Sequence, residues 1–256
     1  MISKAQIRRI ASLKQDKFRQ SEKVFVVEGE KMLSELMHST FDVQTICATK
    51  QWIELNTIPS AHSNVEILQV SPEDLQRMSS LSTPNNVLAV VSTPKPQAVR
   101  TQDTLVLALD GINNPGNLGT IIRQALWFGL TDIVCSSNTV SIYNPKSIQA
   151  TMGALFWVNV IYCELPDFIR SLPPKYNIYG TIVDSDNNIY QQTLSNEGLI
   201  IIGSESHGIS PQVRRAITTP LTIPNYSPDG RAESLNASIA TAIVLSEFKR
   251  SVPDWH

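Results

Sequence analysis

The chain has little cysteine, and what it has is scattered. Cys47, Cys135 and Cys163 form no CxxC pair, and His38, His62, His207 and His256 lie far from them and from one another. Neither a disulfide framework nor a zinc site is suggested, so three buried or partly buried thiols and no metal are expected. Long apolar runs are also missing: none approaches the roughly 20 residues needed to span a bilayer. The opening stretch MISKAQIRRIASLKQDKFRQ is basic but lacks the apolar core of a secretory signal. A transit peptide would be basic too, but Asp16, Glu22 and the helical pattern that follows argue against one. No internal repeat or low-complexity tract is present. With 42% apolar and 17% charged residues in 256, the composition is that of a soluble globular protein with one large or two modest domains. A cytoplasmic location is expected.

The net charge of −2 does not by itself point to a polyanionic partner. Its distribution says more, because residues 1–23 carry seven basic and two acidic side chains. Such a patch can hold phosphates, although a solvated helix face would look the same.

Hydrophobic periodicity predicts a basic helix over 1–20, with Ile7, Ile10 and Leu13 at helical spacing. A strand at 23–29, a helix at 30–39, strands at 42–49 and 65–70, a helix at 71–81 and a strand at 86–92 follow. Ser71 is the expected N-cap of that last helix, with Pro72 in its first turn. These elements make a small α/β domain over 1–95. The proline-bearing segment 96–103 reads as a linker. The remaining 104–256 alternates again. Strands are expected at 104–110, 132–137, 157–164, 177–183, 199–204 and 220–224, and helices at 117–129, 144–155, 165–173 and 232–250. Alternation of this kind predicts an α/β fold with a mostly parallel sheet covered on both faces. An open parallel sheet binds ligands in loops beyond the carboxyl ends of its strands.

Three of those loops carry unusual residues. In LALDGINNPGNLGTIIRQALWFG (107–129), Gly111 and Gly116 permit positive φ and close backbone approach, and Arg123 follows Asn117 by six residues, just under two turns, so the two are expected to approach near the helix start. Loop amides with an arginine suit a phosphate, while a tight turn with a surface arginine is the plainer reading. In GLIIIGSESHGIS (198–210), an apolar strand ends at Gly203, where a flat ligand can pack on backbone, and Glu205 can accept hydrogen bonds or simply be solvated. In LTIPNYSPDGRAESLNASIATAI (221–243), Ser234 and Asn236 stand where they could cap the last helix or line a site.

Together these segments match, in order and spacing, the three motifs of the SpoU (TrmH) family of RNA ribose 2′-O-methyltransferases in the SPOUT superfamily. The resemblance covers residues 104–248 and is carried by NPGNLGTIIR, GSESHGIS and IP…ESLNASIA. KVFVVEGEKMLSEL (23–36) also resembles the small N-terminal substrate-binding domain of many members, itself similar to a ribosomal RNA-binding protein. The resemblance implies a deep trefoil knot near the C-terminus whose loops hold S-adenosylmethionine through main-chain groups. The matching positions are Gly203, Ile223 and Leu235, with Thr181 after its strand. The absence of a GxGxxG loop is consistent with this.

It further implies that Arg123 is the central catalytic residue, with Asn117, Glu205, Ser234 and Asn236 around it. A guanidinium keeps its proton at physiological pH, so binding an RNA phosphate and orienting the hydroxyl suit it better than acting as a base. With this catalytic half attached, Arg8, Arg9, Lys14, Lys17 and Arg19 become the expected RNA grip. Family members dimerise through the knot and C-terminal helix, so a homodimer is implied. Leu235, Ile239, Ala242, Ile243 and Leu245 form the apolar stripe of that helix. Ser206 stands where many relatives have glycine, and NYSPDGR (225–231) is longer than the usual connection, with Asp229 and Arg231 near the substrate mouth. Ribosomal RNA is favoured over transfer RNA. A base-methylating relative and a non-catalytic RNA-binding protein of the same fold are the alternatives.

Overall fold

A computed structural model describes residues 2–59, 65–183, 185–227 and 233–250, so Asp229 and Arg231 lie outside the described residues. The chain divides into two compact units, residues 1–95 with 142–157, and residues 96–141 with 158–256.

In the first unit, the single basic helix expected over 1–20 is two helices, α1 (Lys4–Ser12) and α2 (Asp16–Glu22). Ser3 caps α1 by accepting from the Gln6 amide. Ile7, Ile10 and Leu13 pack on Leu75, Met78, Leu88 and Val90, so the apolar side of α1 closes one face of the sheet. The helix–helix turn is built around Arg19. This residue is buried, and its guanidinium donates to the carbonyls of Leu13 and Lys14, both at 2.9 Å, and to Asp16 at 2.8 Å. The expectation that Arg19 grips RNA is therefore corrected: its donors satisfy the C-terminal carbonyls of the preceding segment.

Strands β1 (Val24–Glu28), β2 (Val43–Ala48), β3 (Glu66–Gln69) and β4 (Val87–Ser92) form a sheet of order β1-β4-β2-β3. β4 is antiparallel to both neighbours, and β2 and β3 are parallel. Helix α3 (Glu30–Met37) buries Met32, Leu33, Leu36 and Met37. The short α4 (Lys50–Leu55), which periodicity did not indicate, starts at its Thr49 cap. α5 (Pro72–Met78) has the expected Ser71 cap and Pro72 at its start. Residues 142–157, which sequence order places in the C-terminal half, cluster with this unit. Within it α7 (Pro145–Thr151) lies on β1, Tyr143 stacks at 4.7 Å from Phe25, and Phe156 meets Phe41 edge-on at 5.3 Å.

The second unit holds β5 (Leu105–Asp110), β6 (Asp132–Ser136), β7 (Asn159–Cys163), β8 (Ile178–Thr181), β9 (Gly198–Gly203) and β10 (Thr219–Leu221). They form one parallel sheet of order β10-β8-β9-β5-β6-β7. Every residue of β5 is buried, as a strand covered on both faces requires. On one face Val106, Ala108, Ile178 and Ile201 pack with Leu165 and Ile169 of α8 (Leu165–Arg170) and Val213 of α9 (Pro211–Arg214). Tyr179 points the other way, as alternation demands, and meets Phe248 of α10 (Ala237–Arg250) edge-on at 4.9 Å. Helix α6 (Pro115–Trp127) packs against α10. Segment 96–103 has no regular structure but is anchored. Gln97 exchanges hydrogen bonds with the Asn159 side chain, and Arg100 reaches Asp132 at 3.2 Å.

The inward stripe of α10 differs from the one expected. Ala237, Thr241, Val244, Leu245 and Phe248 face the core, while Leu235 and Ile239 are 45% and 51% exposed. Burial pushes the Cys47 thiol up to about 12, helped by Glu66, and raises Cys135 and Cys163 as well, so all three remain neutral thiols. Among the described residues no helix is long and apolar enough to cross a membrane, and no cluster of three potential metal ligands occurs.

Candidate active site

Three strands of the parallel sheet, β8, β9 and β10, end on one side around a cavity of about 500 Å³. Its floor is apolar, with Ile202, Leu221 and Ala237 all buried. Thr181, Gly203, Ile223 and Leu235, the positions singled out for the cofactor, all line it. Gly203 is there because nothing larger fits. A Cβ at this position would lie 2.2 Å from the Gly208 carbonyl carbon and 2.4 Å from the Ile209 nitrogen. The turn that follows is closed by paired backbone hydrogen bonds between Ser204 and Gly208, at 3.2 and 2.9 Å, with Gly208 at φ +63°. The cavity wall is thus main chain folded against main chain.

Glu205, at the tip of that turn, joins the three motif segments. Its Oε1 accepts from the Asn117 side-chain amide and from the Ala237 backbone N–H at 3.3 Å. Asn236 Nδ2 donates to Asn117 Oδ1 at 3.2 Å, while Asn236 Oδ1 caps α10 by accepting from Ser238 N at 3.0 Å. Asn236 is therefore both helix cap and network member, and the two readings left open by its position are compatible. Ser234 lines the cavity beside Glu205.

Expectations about the first motif are corrected. Helix α6 begins at Pro115, two residues before the predicted start, because Asn114 is its N-cap. Asn114 Oδ1 accepts from Gly116 N at 2.8 Å and Asn117 N at 3.2 Å, so those amides are already engaged. Gly111 has the positive φ expected of it (+72°), whereas Gly116, now helical, does not. Asn117 and Arg123 also do not approach one another. Six helical residues are about 600° of rotation, which leaves them about 120° apart. Arg123 is exposed, is not in the cavity lining, and makes no hydrogen bond or ion pair to any described residue.

In the first unit Arg8 is exposed, Arg9 pairs with Glu22 at 2.6 Å, Lys14 Nζ donates to the Arg77 carbonyl at 3.3 Å, and Lys17 lies 4.8 Å from the Phe18 ring centroid. Val183, Tyr226 and Ala240 also line the cavity. Sequence reasoning missed them. Tyr226 lies within the NYSPDGR stretch that stood out only for its length.

The fold and site define an α/β protein with a nucleoside-sized cavity at the carboxyl ends of a parallel sheet. Comparison with known proteins makes this specific. Residues 104–246 match the SpoU rRNA Methylase family, and residues 4–89 match an MRM3-like substrate binding domain. The chain belongs to the SpoU rRNA methylase family. It is 27% identical over 227 residues to the 23S rRNA (guanosine(2553)-2′-O)-methyltransferase RlmP of Bacillus subtilis, covering 88% of each chain. A TrmH-family protein from Porphyromonas gingivalis is 33% identical, with a TM-score of 0.88 over 98% of this chain and 99% of that one. The SpoU methyltransferase AviRb of Streptomyces viridochromogenes, solved with AdoMet, shares the fold at 24% identity, with a TM-score of 0.83 over 97% and 98% of the two chains.

Proposed function

We propose that the protein transfers a methyl group from S-adenosylmethionine to a ribose 2′-hydroxyl of RNA, with ribosomal RNA as substrate. The observation that carries this is the convergence of Thr181, Gly203, Ile223 and Leu235 on one cavity that Glu205 and Ser234 also line. A volume of about 500 Å³ suits a small-molecule cofactor. The apolar floor fits a flat heterocycle, and the Gly203–Gly208 backbone cradle offers main-chain groups for its polar edge.

When bound, S-adenosylmethionine supplies an electrophilic methyl group on a good leaving group. The chain's own contribution is then mainly positioning. Glu205 fixes the Asn117 amide and the head of α10 into one unit, with Ser234 and Asn236 at its border. Arg123, cationic and unpaired among the described residues, binds an RNA phosphate and orients the hydroxyl. Residues 1–95 grip the RNA with Arg8, Arg9, Lys14 and Lys17, and 96–103 connects them to the catalytic residues 104–256. The RlmP name specifies 23S rRNA, which favours ribosomal over transfer RNA.

A trefoil knot in the C-terminal half accords with three strand-end segments and the α10 head meeting at one cavity. A homodimer accords with large apolar side chains left uncovered on two helices that pack together, Trp127 on α6 (84% exposed) and Ile239 on α10. Light scattering at micromolar concentration should give twice the chain mass; a monomer would refute the dimer. Mapping 2′-O-methyl groups in cellular RNA with and without the gene tests the activity. Loss of a ribosomal RNA site is expected, and an unchanged map would overturn the proposal.

A further inference from the structure

We infer that Asp110 is a positioning residue that holds the Glu205 turn in its working place, an inference that rests on the function proposed above. Asp110 is the last residue of β5, paired in register with Gly203 at the end of β9. It is buried, and its Oδ2 accepts from the Ser210 backbone N–H at 2.7 Å. Ser210 is where the chain leaves the turn that carries Glu205.

The frame around Asp110 is rigid on its other side. The preceding carbonyl, Leu109 O, accepts from Thr139 Oγ1 at 3.2 Å, and the following amide, Gly111 N, donates to Ser136 Oγ at 2.8 Å. Ser136 in turn donates to Asn138 at 2.6 Å. The Asp110 carboxylate therefore projects from a backbone fixed on both sides. A hydrogen bond from an N–H to a carboxylate is about twice as strong as a neutral one.

The Glu205 turn has two anchors. At its start the Gly203 backbone is pressed against Gly208, and at its exit Ser210 is bonded to Asp110. Between them, Glu205 must reach both Asn117 and Ala237 N. Release of the second anchor leaves the Ser204–Gly208 backbone bonds and the packing of Ile209 to hold the turn, and loosens the aim of Glu205 at its two donors. Asp110 is not in the cavity lining and acts through Glu205.

The test uses the full chain with three substitutions. Asp110→Ala removes the acceptor, Asp110→Asn keeps a carbonyl oxygen in its place, and Ser210→Pro removes the donor. Ser210 has φ −59°, so proline keeps that backbone angle while its ring displaces the Asp110 carboxylate from the Ser210 nitrogen. Hydrogen exchange over residues 204–210, S-adenosylmethionine binding, and kcat and KM are measured for each. Asp110→Ala and Ser210→Pro should each speed exchange in 204–210 by roughly tenfold. They should lower kcat by a similar factor while exchange in β5 and β9 stays slow, and Asp110→Asn should recover most of both. Unchanged exchange at 204–210, uniform acceleration across the sheet, or equal losses in Asp110→Asn and Asp110→Ala would overturn the assignment. A wild-type protein without methyl transfer would instead overturn the function proposed above, and the exchange data would still decide whether Asp110 holds the turn.

Discussion

Gly203→Ala puts the backbone cradle under the most direct strain. The added Cβ would lie 2.2 Å from Gly208 C, 2.4 Å from Ile209 N and 2.5 Å from Gly208 O. Non-bonded carbons settle at ~3.5–4.0 Å, so the Gly208 peptide must retreat by at least ~1.3 Å. The neighbours are main chain, and no side-chain rotation can relieve the contact. The retreat disrupts the paired Ser204–Gly208 backbone bonds and carries Glu205 away from Asn117 and Ala237. Overpacking of this kind costs about 1–3 kcal/mol of stability. A misplacement of ~1 Å at a reacting centre costs on the order of a hundredfold in rate. Calorimetry with S-adenosylmethionine and single-turnover methyl transfer measure the two effects. Gly129→Ala is the control. Gly129 has φ +76° with nothing within 4 Å of an added Cβ, so it carries conformational strain of about 1 kcal/mol without a clash. Its melting temperature should fall while cofactor binding stays normal. Cofactor binding within about threefold of wild type together with more than a tenth of the rate in Gly203→Ala would refute the role of the backbone cradle.

Arg123→Lys should bind S-adenosylmethionine normally yet lose most activity, because an ammonium cannot reproduce the planar bidentate fork; near-normal turnover would end the arginine's catalytic assignment. Glu205→Ala removes the shared acceptor of Asn117 Nδ2 and Ala237 N, so kcat should fall at least ~10-fold with only a small change in melting temperature. In the first unit, Arg8→Ala should weaken RNA binding and reduce its salt dependence without changing stability. Arg19→Ala, by contrast, should cost about 2–3 kcal/mol, read as a lower melting temperature, because buried carbonyls lose their charged donor.

The parallel sheet was legible in the sequence because β5 and β9 are short apolar runs bounded by polar and glycine-bearing loops, as strands covered on both faces are. Local punctuation was legible where its pattern was recognised. Ser71–Pro72 marks a helix start, and Asn114–Pro115 carries the same signal inside a glycine- and asparagine-rich stretch that resembles loop, so α6 starts two residues before the span that periodicity predicts. Arg19 counts toward a basic patch by charge alone, which is blind to a side chain folded back onto the carbonyls of its own turn. The clustering of residues 142–157 with the first unit depends on Tyr143 and Phe156 finding partners more than a hundred positions earlier. No local periodicity encodes that. The convergence of Asn117, Glu205 and Asn236 is long-range for the same reason. It could be anticipated only through family resemblance, and the resemblance named the residues without showing that Glu205 is the common acceptor of the Asn117 side chain and the Ala237 amide.

Ribose 2′-O-methylation is read directly by incubating the purified protein with methyl-labelled S-adenosylmethionine and ribosomal RNA, then hydrolysing the product with alkali. Alkaline cleavage needs a free 2′-hydroxyl, so a ribose methylated there protects the adjoining phosphodiester. Label confined to an alkali-resistant dinucleotide is expected, with most of it lost when Arg123 is replaced by lysine. Label released in alkali-sensitive mononucleotides, or no label in RNA at all, would contradict it.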